Sequence, residues 1–217
     1  YPCLAVVDSE LMLSVPAGFT AYQGFDALFH SIEGYIAKGA NLMSDMYALT
    51  AIENLAKYLP RAVKDGSDLG ARTHVAFANT LSGVVMCLTL ITSEHGMEHA
   101  LSAYHPNLPH GAGLIMISRA YFSYFVRNHA CDERFIRMAR VMGIPDANKA
   151  EDFITALTHL QEACGVADLK MSDYGISFDE AEKFMRNARE VMGVMFTSDR
   201  IQMTDTDIVG IYEESWR

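Results

Sequence analysis

Five consecutive residues, His95-Gly96-Met97-Glu98-His99, hold the densest chemistry in the chain. As H-x-x-E-H they match the inverted zincin pattern, in which two helical histidines bind metal and the glutamate is the general base. Taken with Asp26-x3-His30 and Pro109-His110 they form a different array, one carboxylate and several imidazoles that suit a divalent ion. Asp26 and His30 are four apart and stand one above the other on a helix face, as do His95 and His99. His110 opens a helix after a proline-bounded loop, and His105 adds an imidazole to that window. Taken singly these signals are ordinary, since an i, i+4 Asp–His pair is commonly a solvated surface contact. The set is harder to dismiss, because the cluster from His95 to His110 adjoins an apolar region and each member would need its own explanation. A zincin would need a third ligand such as Glu151, Glu162 or Glu180, and it leaves Asp26, His30 and His110 without a role. A third reading is a non-catalytic helical interaction module with incidental histidines. His74, His129 and His159 stand alone and are expected at the surface or at helix ends.

The elements that must position these groups read as helices. Phe25, Leu28, Phe29, Ile32 and Ile36 keep a 3.6-residue rhythm, and Gly39 is placed to end that helix. Asn41 can cap the next, with Met43, Met46, Leu49, Ile52 and Leu55 as its core stripe and Pro60 near its end. Ser67 or Asp68 can cap the helix after the loop at 65–68. The apolar stretch from Val75 to Leu90 predicts a central helix buried on nearly every side. Further helices are predicted over 110–127, 132–142, 149–164, 178–192 and 206–216, with caps at Ser177 and Thr204 and stops at Gly143 and Gly165. The one strand signal is Leu4 to Val7. The fold class is therefore all-α, a helical bundle.

Composition bounds the rest. Of 217 residues half are apolar and 20% charged, which is the balance of a globular chain with a sizeable core. The net charge of −10, with Lys and Arg dispersed, argues against a nucleic-acid partner. No apolar run is long enough for a membrane span. Cys3, Cys87, Cys131 and Cys164 lie far apart without a C-x-x-C, which predicts isolated buried thiols in a reducing cytoplasm. The N-terminus lacks an initiating Met and a basic leader, and reads like the middle of a longer protein. Phosphate-binding glycine loops, a G-x-S-x-G elbow and Glu-x-x-His pairs are all absent.

The stretch Gly24-Phe25-Asp26-Ala27-Leu28-Phe29-His30-Ser31-Ile32-Glu33-Gly34-Tyr35, then His95-Gly96-Met97-Glu98-His99-Ala100-Leu101, then Pro109-His110-Gly111, resembles the iron-containing (group III) alcohol dehydrogenase family in order, spacing and neighbours. Val7-Asp8, Pro16 and the segment from Thr204 to Tyr212 extend the likeness to nearly the whole chain. The resemblance implies a dehydroquinate synthase-like C-terminal domain of about eight to nine helices. Residues 1–15 would be a lead-in segment from a missing N-terminal nucleotide-binding domain, and residues 16–217 the helical metal-binding, catalytic domain. It implies Asp26, His30, His95 and His110 as metal ligands, with His99 near the substrate as a catalytic proton relay. Gln23, where many members carry Thr, would lie beside the cofactor. The run His105-Pro106-Asn107 makes the loop one residue longer than in the family.

The implied activity is NAD(P)-dependent interconversion of primary alcohols and aldehydes, with Fe²⁺ (or Zn²⁺ or another divalent ion) as Lewis acid for the alkoxide. NAD(P) would be bound mainly by the absent domain, so these residues alone would be inactive. The expected partners are a small alcohol or aldehyde and a second copy of the chain in a homo-oligomer, a dimer. Phe25, Phe29 and Tyr104 suggest aromatic walls for the substrate pocket.

Overall fold

Helix α1 (Ala17–Ile36) sets the frame, because most of its surface is apolar and most of it is buried. Phe25, Leu28, Phe29, Ile32 and Ile36 are all fully buried, as their rhythm predicts. The computed structural model describes residues 3–217, so the first two residues of the lead-in segment lie outside it. After α1 come α2 (Leu42–Lys64), α3 (Leu69–Leu88), α4 (Glu94–Tyr104), α5 (His110–Arg127), α6 (Asp132–Val141), α7 (Glu151–Ala163), α8 (Ala181–Phe196) and α9 (Asp205–Ser215). Short 3₁₀ turns span Ser9–Met12, Met171–Tyr174 and Phe178–Glu180. Among the described residues there are nine α-helices and no strand, so the all-α bundle stands. α1, α2 and α3 pack on one another, α5 joins α1 to α4, α7 and α9, and α8 lies against α4 and α9. No helix among them is long and apolar enough to cross a membrane.

The caps track sequence chemistry closely. Asn41 accepts from the backbone N–H groups of Met43 and Ser44, while the Ser44 hydroxyl reaches back to Asn41 in a capping box. Asp68 caps α3, Thr204 forms a capping box with Asp207, and Ser177 forms one with Glu180 ahead of α8. Gly143 and Gly165 take positive φ just past α6 and α7, where a side chain would be strained.

Several expectations fail for physical reasons. Leu4 to Val7 form no strand, since nothing pairs with them, and Leu4 and Val6 are exposed. Gly39 does not end α1. The helix stops at Ile36, where the Arg200 guanidinium donates to the carbonyls of Ile36 and Ala37. A cation at a helix C-terminus satisfies orphan acceptors and the dipole together, so no glycine is needed there. On α2 the buried face is Ser44, Ala48, Ala51, Ile52, Leu55, Leu59 and Ala62, and Met43 and Met46 point outward. The small alanines let α1 approach closely, which a hydropathy stripe does not reveal. α3 is not buried on every side: its covered residues are Ala71, Arg72, Ala78, Ser82 and Val85, while Phe77, Met86 and Leu88 are exposed. The free thiols also divide. Cys164 is buried and Cys131 partly so, but Cys3 and Cys87 are exposed. His129 and His159 are exposed as expected, whereas His74 is half-buried mid-helix, stacked on Tyr58 and bonded to Asn54 at 2.8 Å.

Candidate metal centre

Three helices deliver the candidate ligands to one place. Asp26 and His30 come from the middle of α1, His95 and His99 from the first half of α4, and His110 from the first residue of α5. The approach of α5 depends on Gly111. A Cβ there would sit 2.2 Å from the Tyr22 carbonyl oxygen of α1, so only glycine lets His110 come so near Asp26.

Ligand atoms of Asp26, His95 and His110 lie within 4.8 Å of one another. His95 Nε2 is 3.1 Å and His110 Nε2 3.7 Å from the same Asp26 oxygen, Oδ1. His30 lies alongside, its ring 4.0 Å from that of His95. Its Nδ1 is turned back to Asp26, 2.9 Å from the carbonyl and 3.0 Å from Oδ1. Glu98, His99 and His110 form a second, overlapping group, with the His99 ring 5.3 Å from His110 and 6.3 Å from His95. His105 stands apart, bonded to Glu180 at 3.0 Å.

Behind the imidazoles stand buried glutamates that the sequence pattern did not reveal. His95 Nδ1 donates to Glu33 and His110 Nδ1 donates to Glu98, and both carboxylates are fully buried. Glu33 also accepts from the Thr92 hydroxyl at 3.2 Å, and Glu98 from Ser102 at 2.5 Å. Each Nδ1 is thereby occupied, which leaves Nε2 of both rings facing Asp26. An imidazole whose far nitrogen donates to a carboxylate is fixed in ring orientation and tautomer, the usual setting of a metal-binding histidine. The signal for Glu33 was its position: seven residues after Asp26 and three after His30, on the same helical face. Glu98 lies too deep to face a water nucleophile, so the geometry does not suit the base of an inverted zincin.

The electrostatics fit a cation. Burial pushes the Asp26 carboxyl up, but hydrogen bonds and charge from His30 and His95 outweigh it and hold the group well below the usual carboxylate range. Burial pulls His95 down, yet Glu33 and Asp26 raise it to about 9, so a proton sits on Nε2 between His95 and Asp26. Burial lowers His99, which keeps it neutral at neutral pH. Glu94 is fully buried with neither oxygen hydrogen-bonded, and burial together with Glu33 and Asp26 raises it well above its ordinary range. A metal-sized group fits this donor set once it displaces the proton held between His95 and Asp26: one anionic oxygen and imidazole Nε2 atoms on a common focus, with the reverse nitrogens tied off.

Gln23 is exposed and lines a cavity of about 490 Å³ that runs from Val7 and Asp8 past Arg72 and Asn79 to Asp26. The aromatic walls are not found. Phe25 and Phe29 are wholly buried core residues, and Tyr104 packs under Lys183, 3.9 Å from its ring centre. The Phe25 and Phe29 rings pack on each other, and Phe29 packs on Phe122, inside the core.

Residues 20–216 match the sequence profile of the Fe-containing alcohol dehydrogenase family, C-terminal. The chain belongs to the iron-containing alcohol dehydrogenase family. It is 30% identical over 203 residues to an NAD-dependent methanol dehydrogenase of Bacillus methanolicus, covering 87% of this chain and 50% of that protein. It is 33% identical over 181 residues to a 1,3-propanediol dehydrogenase of Klebsiella pneumoniae, covering 81% of this chain and 46% of that protein. Its fold superposes on an archaeal halo-thermophilic alcohol dehydrogenase from a Red Sea brine pool with a TM-score of 0.93 at 28% identity, over 99% of this chain and 55% of that one. The chain thus spans about half the length of the relatives it matches.

Proposed function

We propose that this chain is the metal-holding half of an NAD(P)-dependent alcohol dehydrogenase that interconverts small primary alcohols and aldehydes. Asp26, His30, His95 and His110 would hold the ion, Fe²⁺ in the first instance and Zn²⁺ as the other candidate. The observation that carries the reading is the convergence of Asp26, His95 and His110, with Glu33 and Glu98 securing two of the imidazoles. A divalent ion bound there supplies Lewis acidity toward the alcohol oxygen.

The chain's own residues supply the rest. Asp26 provides the one anionic donor and gathers three histidines around it. Glu33 and Glu98 fix the rings of His95 and His110, and the buried surroundings exclude water behind them. His99, neutral and half-exposed beside His110, is placed to accept the hydroxyl proton and pass it to solvent. Gln23 lines the cavity that opens on Asp26, where the nicotinamide would approach. The described residues contain no nucleotide-binding sheet, so NAD(P) contacts would come mainly from elsewhere and the 217 residues alone would not turn over alcohol. On this reading residues 16–217 are the metal-binding domain and 1–15 the lead-in to it. A cytoplasmic homodimer belongs to the same reading, supported by unpaired cysteines and by the exposed Leu42, Met43 and Met46 of α2.

Metal analysis tests this directly. The chain reconstituted with Fe²⁺ or Zn²⁺ under reducing conditions should retain one ion through desalting. Asp26→Ala and His110→Ala should each lose it. A parent chain that takes up neither ion overturns the reading.

A further inference from the structure

Glu98 accepts from His110, and its surroundings are built for it. It lies on α4 with no exposed surface. One oxygen takes the Nδ1 proton of His110 and the other takes the hydroxyl of Ser102, one turn further along the same helix. Facing it across the α4–α5 contact is Gly113. A Cβ at that position would sit 2.5 Å from Glu98 Oε1 and 2.8 Å from its Cγ, inside any permissible contact. The carboxylate therefore occupies the space that a side chain at 113 would need. It reaches a ring whose Nε2 is turned to Asp26.

We infer that Glu98 is a positioning residue for His110, holding its ring so that Nε2 faces the metal focus, and that Gly113 is the glycine that admits it. This role rests on the proposed metal centre. It replaces the role of general base that H-x-x-E-H suggests for this glutamate. Glu98 acts through His110, as Glu33 acts through His95. The arrangement has a marked asymmetry. His95 is buried between Glu33 and Asp26, whereas the His110 side chain is 35% exposed, so Glu98 is the main restraint on the more exposed imidazole.

Co²⁺ is the probe, because its visible ligand-field bands report coordination as well as occupancy. The 217-residue chain, Glu98→Gln and Glu98→Ala are titrated with Co²⁺ against a competing chelator. Gln keeps the shape and an acceptor oxygen but not the charge. Affinity should fall in the order parent, Gln, Ala, with Ala roughly 10- to 100-fold weaker, the range seen when partners of metal-bound histidines are removed. The Ala bands should also shift as His110 loses its orientation. A role limited to folding would lower thermal stability without moving the bands. If Glu98→Ala does not fold, the Gln variant decides, through weaker affinity at an unchanged melting temperature. Parent-like affinity and bands in the folded variants overturn the role of Glu98 and leave the metal centre standing. A parent that binds no Co²⁺ removes the metal centre and this inference with it.

Discussion

Glu33 of α1 accepts the Nδ1 proton of His95 of α4, and both side chains are essentially sealed from water. The pair joins two helices through the ring contact and a second hydrogen bond from the His95 backbone N–H to Glu33 at 3.3 Å, with Asp26 on the far side of the ring. Removing one partner of such a pair strands the other. Glu33→Ala in the metal-free chain should cost about 3–5 kcal/mol of stability, as for other broken buried ion pairs. Urea unfolding measures it. A loss under about 1 kcal/mol would mean that His95 finds another partner or sheds its proton.

Asp199 predicts a pH dependence away from the ligands. Burial pushes its carboxyl up to about 7, against hydrogen bonds from the Ser93 hydroxyl and backbone N–H, with Glu33 adding to the rise and Tyr121 also bonded to it. A raised acid contributes stability fully below its unfolded value near 4 and loses it as pH climbs through about 7. Asp199→Asn preserves the shape and removes the titration. Between pH 5 and pH 8 the parent should lose about 2–3 kcal/mol relative to that variant. Thermal melts across that range check it, and parallel curves would contradict it.

Gly111→Ala should separate packing from ligation. The added methyl meets the Tyr22 carbonyl and forces α5 away from α1, carrying His110 with it. Overpacking of this kind costs about 1–3 kcal/mol. The variant should remain folded by circular dichroism yet retain less Zn²⁺ than the parent after dialysis. Full retention would show that His110 is not needed.

Arg200→Met keeps the aliphatic stem and removes the two donors that end α1. Stability should drop by about 1–2 kcal/mol, the worth of hydrogen bonds from a charged group at a helix C-terminus. Faster amide exchange in the last turn of α1 would locate the effect, and unchanged exchange there would count against it.

The sequence was most legible where one face of a helix is both apolar and covered, as at Phe25, Leu28, Phe29 and Ile32. It was legible again at Asn41 and Thr204, where a local side chain makes the cap. It misled at α3 and at Met43 and Met46, because apolarity does not say which side a neighbour occupies. Gly39 misled because the real cap, Arg200, is distant in sequence. The array of Asp26, His95 and His110 was visible because each residue type is unusual among apolar neighbours. Glu33 escaped notice since a glutamate in a helix ordinarily faces water, and only the fold reveals that this one faces His95.

The donors all lie between residues 26 and 110, but α4 is held from further along the chain. Asp199 anchors its start through Ser93, and the Tyr212 hydroxyl donates to the Met97 carbonyl at 2.8 Å in its first turn. During synthesis, every ligand therefore leaves the ribosome about a hundred residues before the groups that seat α4. A nascent chain at that stage carries all the coordinating side chains without their final alignment. Removing α9 should therefore impair metal retention without touching a ligand.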